Sequence, residues 1–195
     1  MSDGPGASAQ GSAGALALVG FMGSGKSAVG RVAAKRLGIP FVDTDTLVEA
    51  HHGPISEIFA THGEQAFRRL EAEEVCAAVA RAMASPCVLA LGGGAVLSGD
   101  VREALRRLPH VVWLTAPADA LWERVQRGAA GVRPLAADEA RFRRLLQERE
   151  ALYASVATDQ VANDGRRTPS QVAEEVCAVT AHGSGHTPDD REAAS

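Results

Sequence analysis

Short apolar runs alternate along the chain with longer stretches in which apolar residues recur every three or four positions. The runs are Ala15–Val19, Phe41–Val42, Cys87–Leu91, His110–Leu114 and a weaker one at Asp159–Ala162. None shows the in–out alternation of a strand with one wet face, so each reads as a strand covered on both sides. The stretches between them read as helices. Lys26 to Leu37 puts Val29, Val32, Ala33 and Leu37 on one face, with Gly38 as a stop. Glu64 to Met83 carries Phe67, Leu70, Val75 and Val79 near helical spacing. Asp100 is the expected N-cap of VREALRRL, and Asp138 that of EARFRRLLQEREALY. Thr168 and Pro169 are the expected cap and first residue of the last helix. Strand–helix alternation of this kind predicts an α/β fold of three layers around a parallel sheet.

The ends break the pattern. Residues 1–13 are Gly-, Ser- and Ala-rich, and residues 182–195 have no periodic apolar face, so both are expected to be disordered tails. His182 and His186 are four apart, but nothing there favours a helix that would make them a metal site. One domain of residues 14–181 remains. Within it, GAAGVRPLAA at Gly128–Ala137 joins two charged helices and reads as a mobile lid rather than a plain loop.

Composition narrows the function. At 195 residues, with 46% apolar and 23% charged residues, the chain is a typical globular protein. A formal charge of −4 gives no basic excess for nucleic acid, and 4% aromatic residues give no stacking platform for single strands. No apolar run approaches the ~18 residues of a membrane span, and the N-terminus lacks the basic region of a signal peptide. The three cysteines, Cys76, Cys87 and Cys177, have no CxxC spacing and read as buried thiols of a cytoplasmic protein. His51, His52, His62 and His110 show no ligand spacing and read as helix-end and surface residues. No heptad or apolar stripe calls for a partner chain, so a monomer is expected.

The chemistry begins at Gly20–Ser27, GFMGSGKS, which matches GxxxxGK[ST] in full. It follows a predicted strand and opens a predicted helix, the context that motif requires. Its glycines let backbone N–H groups point at phosphate oxygens, and the helix adds its positive dipole end. Lys26 can reach the β- and γ-phosphates and Ser27 can offer its hydroxyl to Mg²⁺. The chain holds only two lysines among its 20 basic residues, and one of them fills this slot. The loop calls for a nucleotide without naming an acceptor.

Two further clusters lie at the ends of strands, where ligands of a parallel sheet gather, and a third lies within a helix. Asp43 and Asp45 follow the second strand. One can face the Mg²⁺ shell and the other an acceptor hydroxyl, although either can simply cap the next helix. Arg68 and Glu71, three apart on a helix, can form an ordinary surface pair, or Glu71 can hold Arg68 rigid for a substrate carboxylate. Gly92, Gly93 and Gly94 follow the third strand and let a ligand touch the backbone.

The ordered set resembles the shikimate kinases, small P-loop kinases of the nucleoside-monophosphate-kinase fold. The matching pieces are GFMGSGKSAVG at Gly20–Gly30, FVDTD at Phe41–Asp45 and SEIFATHGEQAFRRLE at Ser56–Glu71. LGGGAV at Leu91–Val96, RPL at Arg133–Leu135 and the R-x-x-x-Y piece at Arg149–Tyr153 follow in order. The lid reads RPLA where the family usually has RPLL. The resemblance implies a three-layer α/β/α P-loop NTPase fold with a five-stranded parallel sheet and a lid segment. It implies transfer of the ATP γ-phosphate to the 3-hydroxyl of shikimate, on the way to chorismate and the aromatic amino acids. It also implies roles. Gly23, Ser24, Gly25, Lys26, Ser27 and Ala28 would hold the phosphates. Ser27 and Asp43 would hold one Mg²⁺ per chain. Asp45 would bind ring hydroxyls and act as base, Arg68 and Arg149 would pair with the carboxylate, and Gly92–Gly94 would meet the ring. Arg133 would touch the γ-phosphate, and Arg167 would flank the adenine. Shikimate and ATP would be the partners, with neither nucleic acid nor membrane. A gluconate kinase of the same fold, a nucleoside-monophosphate kinase and a non-catalytic nucleotide-binding module are the competing readings.

Overall fold

The computed structural model describes residues 14–128 and 138–182. The N-terminal tail, Arg133 with most of the expected lid, and the chain beyond His182 lie outside them.

Five strands form one parallel sheet: β1 (Leu16–Val19), β2 (Phe41–Asp43), β3 (Val88–Ala90), β4 (His110–Thr115) and β5 (Asp159–Ala162). Their order is β2-β3-β1-β4-β5, so β1 is central. Leu18 pairs with Ala90 on one side and Val112 on the other. All four residues of β1 are buried, as a strand covered on both faces requires. Ala17 and Val19 enter the core beneath one helical layer, and Leu16 and Leu18 the core beneath the other. Each fully buried Leu or Val contributes roughly 1.5–3 kcal/mol. This fixes the strand that carries the glycine-rich loop.

Seven helices flank the sheet among the described residues: α1 (Lys26–Leu37), α2 (Thr44–His52), α3 (Ile55–Ala84), α4 (Gly99–Leu105), α5 (Ala118–Gly128), α6 (Glu139–Ala154) and α7 (Pro169–His182). Helices α1 and α7 cover one face, and their valines share the core with Leu16, Leu18 and Val161. Val75 and Val79 of α3, Val101 of α4 and Phe142 of α6 fill the other, where Phe21 meets Phe142 edge-on at 5.0 Å. No helix among the described residues is long and apolar enough to cross a membrane.

Helix α1 has the expected bounds and ends on Gly38 in the left-handed region. Asp138 caps α6 by accepting from Arg141 N–H, and Thr168 caps α7 by accepting from Gln171 N–H. The expected cap of α4 is corrected. Ser98, not Asp100, accepts from Val101 N–H, and Asp100 sits in the first turn, where its charge meets the helix dipole. Helix α3 begins at Ile55 rather than Glu64, because an extra short helix joins it across a kink at Gly63.

The histidines depart from expectation. His110 opens β4 and is buried, because β4 lies second from the edge beneath both helical layers. His51 and His52 do end α2, yet both rings reach Glu74 of α3. The sequence spacing hid that contact, since the third group lies on another helix. Cys87 is buried, Cys76 and Cys177 only partly so, and all three are free thiols whose pKa burial raises.

Candidate active site

The loop between β1 and α1 arches over the carboxyl end of the sheet. Gly25 adopts the left-handed region (φ 90°) as the residue before α1, and no side chain caps the helix. The cap residue thus offers no side chain to the first N–H groups of α1, and Gly25, Lys26, Ser27 and Ala28 line the cleft, as an anion site requires. Lys26 Nζ donates to the Gly20 and Phe21 carbonyls at 2.8 and 3.0 Å, which folds the ammonium over the loop. Two groups brace the loop from outside. Asn163 Nδ2 donates to the Ser24 carbonyl at 2.8 Å, and Arg124 bridges the Gly23 and Asn163 carbonyls at 3.1 and 2.8 Å.

Asp43 ends β2 and caps the next helix, as an aspartate there can. One oxygen accepts from Asp45 N–H and caps α2, and the other accepts from Ser27 Oγ at 2.6 Å. The Ser27 hydroxyl and the Asp43 carboxylate thus form a pair of oxygen donors beside the phosphate loop, a donor set that suits a hard divalent cation. Asp45, in the first turn of α2, lines the same cleft of about 260 Å³ with Lys26, Ser27 and Gly93.

The glycines after β3 make room for side chains. A β-carbon on Gly92 would lie 2.5 Å from both Asp45 Oδ1 and Glu71 Oε1, so those two oxygens are no more than about 5 Å apart. A β-carbon on Gly94 would collide with the Arg68 guanidinium. The triplet, expected to admit a ligand, is also the space in which the charged groups of the site stand.

Arg68 and Glu71 form the rigid pair rather than a loose surface one. Arg68 donates from Nη1 to Glu71 at 2.6 Å and from Nη2 to Glu64 at 3.4 Å. Glu71 is 3% exposed, and burial raises its pKa against the opposing pull of Arg68, with the nearby Asp45 charge adding to the rise. Arg68 Nε is buried with no hydrogen-bond partner among the described residues. Arg149 is buried on α6 over the Phe21 ring, and its Nη1 donates to the Gly93 carbonyl at 3.2 Å.

Four supporting residues were not found by sequence reasoning. Thr44 Oγ1 accepts from Gly92 N–H at 3.0 Å, and Tyr153 Oη donates to the Gly93 carbonyl at 2.6 Å. Burial pushes the Tyr153 pKa well up, so its phenol stays a donor. Asn163 and Arg124 are the other two. The Tyr153 position in R-x-x-x-Y was the one available signal. Arg167 stands apart from this cluster. Its guanidinium is bonded to the Glu175 carboxylate of α7 and the Ala162 carbonyl of β5, at the far edge of the sheet.

The site therefore places a glycine-rich loop with the phosphate-loop motif and a pair of oxygens suited to a cation on one cleft, with a carboxylate–arginine cluster beside it. That is the equipment to transfer a phosphoryl group to a hydroxyl of an anionic acceptor. Comparison with known proteins agrees. The family model described as shikimate kinase matches residues 22–181. A shikimate kinase of Symbiobacterium thermophilum is 47% identical over 163 residues, 82% of this chain and 92% of that protein. One from Salinispora tropica is 50% identical over 167 residues, 83% and 95% of the two chains. Among solved structures, shikimate kinase from Acinetobacter baumannii in complex with shikimate superposes with a TM-score of 0.80 at 32% identity, covering 89% of this chain and 96% of that one.

Proposed function

The chain belongs to the shikimate kinase family, and from that premise we propose that it moves the γ-phosphate of ATP to the 3-hydroxyl of shikimate through the residues placed above. The products are shikimate 3-phosphate and ADP, in the biosynthesis of chorismate and aromatic amino acids. The observation that carries the assignment of roles is the cluster of Asp45, Glu71 and Arg68 packed against Gly92 and Gly94, joined through Asp45 to the cleft that Lys26 and Ser27 line.

In this reading the backbone of Gly23–Ala28 and the Lys26 ammonium hold the phosphates, with Lys26 exchanging a loop carbonyl for a phosphate oxygen. Ser27 and Asp43 hold one Mg²⁺, Asp43 directly or through water. When bound, the ion offsets charge on the β- and γ-phosphates. Arg68, kept in place by Glu71, offers its remaining Nη N–H groups to the shikimate carboxylate, and Arg149 closes on the same group. Asp45 orients the 3-hydroxyl and accepts its proton as the oxygen bonds to the γ-phosphorus and the bond to the β-phosphate oxygen breaks. The Gly92–Gly94 backbone meets the ring. Arg133, outside the described residues, touches the γ-phosphate, and Arg167 flanks the adenine. The protein acts as a cytoplasmic monomer on small molecules alone.

A coupled assay of ADP release with ATP and Mg²⁺ tests the reading, with shikimate, gluconate or no acceptor. Release that depends on shikimate is expected. Release with gluconate instead would leave the phosphate loop intact and overturn the acceptor assignment.

A further inference from the structure

Two imidazoles and a carboxylate meet where the end of α2 faces α3, outside the cleft. His51 Nδ1 lies 2.8 Å from Glu74 Oε1, and His52 Nε2 lies 3.0 Å from the same oxygen. The three ligand atoms all lie within 4.8 Å of one another. Consecutive residues of a helix point roughly 100° apart and do not ordinarily share a partner. Here they do because α2 ends at His52, with Gly53 at φ 87° turning the chain away. One ring also uses its near nitrogen and the other its far one, so the planes stand 84° apart with centroids at 6.1 Å.

We propose that His51, His52 and Glu74 form a binding site for a divalent transition-metal ion, Zn²⁺ first among them, separate from the Mg²⁺ position of the phosphate cleft. Two imidazole nitrogens and one carboxylate oxygen make a three-ligand site with a fourth position for water. Bonds of about 2.0–2.2 Å place neighbouring ligand atoms of a tetrahedron roughly 3.4 Å apart. The two observed separations need to widen by only about half an ångström, which side-chain rotation supplies. Imidazole favours Zn²⁺, Ni²⁺ and Cu²⁺, whereas Mg²⁺ prefers all-oxygen surroundings, so the ion used in catalysis does not compete. The His51 side chain is 48% exposed, which leaves an open path for entry. Glu74 itself is only 13% exposed, so its oxygen is held in place.

The location ties the site to the acceptor half of the cleft. Asp45 stands in the first turn of α2, and Glu74 lies one turn beyond Glu71 on α3. An ion held by all three side chains cross-links the two helices that present Asp45, Arg68 and Glu71.

The test titrates the tag-free full chain with ZnCl₂ by calorimetry, with Co²⁺ as a spectroscopic probe. One equivalent is expected to bind. Affinity should fall at least ten-fold in His51→Ala, in His52→Ala and in Glu74→Gln, and stay unchanged in Cys76→Ser. Saturating Zn²⁺ should raise the Tm of the wild type, since an ion that binds only the folded chain stabilises it, and leave the Tm of the histidine variants unmoved. His51→Ala should keep full Mg²⁺-dependent turnover in the absence of Zn²⁺, which shows that the variant is folded. Equal Zn²⁺ affinity in the wild type and both histidine variants would place the ion elsewhere, on His182 and His186 or on the thiols, and would overturn the proposal. Thiolate charge-transfer bands in the Co²⁺ spectrum, or no saturable binding at all, would do the same.

Discussion

At the scale of single residues, a glycine after β3 matters for what it leaves room for. Arg68 occupies the space a Gly94 side chain would fill, and Asp45 and Glu71 share the space at Gly92. Gly94→Ala should therefore raise the KM for shikimate at least ten-fold, leave the KM for ATP within two-fold, and lower the melting temperature, because moving the Arg68 guanidinium breaks its pair with the buried Glu71. Steady-state kinetics with each substrate varied, together with a melting curve, checks this, and a rise confined to the ATP KM would contradict it. Lys26 and Ser27 were legible because they sit in one local motif, and Asp43 and Asp45 because they end a strand at i and i+2. The i and i+3 spacing of Arg68 and Glu71 favoured an ordinary surface pair, and their role, like that of Arg149, came from the family resemblance. Thr44, Tyr153, Asn163 and Arg124 were not legible. Their partners lie 48, 60, 139 and 101 positions away, and only the fold brings those together.

At the scale of elements, short apolar runs located every strand; the expected cover on both faces holds for the inner strands β1, β3 and β4, while the edge strands β2 and β5 are only partly covered. Helix starts depend instead on a single capping bond, and there the pattern misled at α4. Both Ser98 and Asp100 are chemically able to cap, and Gly99 as the first helical residue decides for Ser98. Ser98→Ala should cost about 1 kcal/mol in urea unfolding, whereas Asp100→Ala, which loses only a charge–dipole contact, should cost about 0.3–1 kcal/mol at low salt and less as salt screens it. The reverse order would restore Asp100 as the cap. The kink at Gly63 was illegible for a related reason. The residues before it form a helix too short for its period to stand out, and its apolar Ile55 and Ile58 pack into the small cluster around Val48 and Phe67.

At the scale of the whole molecule, the order β2-β3-β1-β4-β5 puts Asp45 and the glycine triplet at the ends of β2 and β3 and the glycine-rich loop at the centre, with its braces on α5 and just after β5. His110 lies within this sheet, and its burial lowers its pKa from the usual 6.5, with Asp159 opposing weakly. The folded chain thus holds the imidazole neutral while the unfolded chain takes a proton as pH falls through about 6.5. Stability should then be full above that pH and decline as pH falls below it. Glu71, raised above its usual 4.5, acts with the opposite sign from 4.5 upward, so the comparison that isolates the histidine is with His110→Gln. Urea midpoints between pH 5 and 8 should slope less in that variant than in the wild type, and parallel slopes would refute the assignment. The glycine wall beside the acceptor has a bearing on drug resistance. An inhibitor that presses against the backbone at Gly93, which lines the cleft, offers the organism no side chain to trim. A side chain added at Gly92 or Gly94 to push it out would first displace Asp45, Glu71 or Arg68, so escape at those flanking positions should damage the site it was meant to rescue.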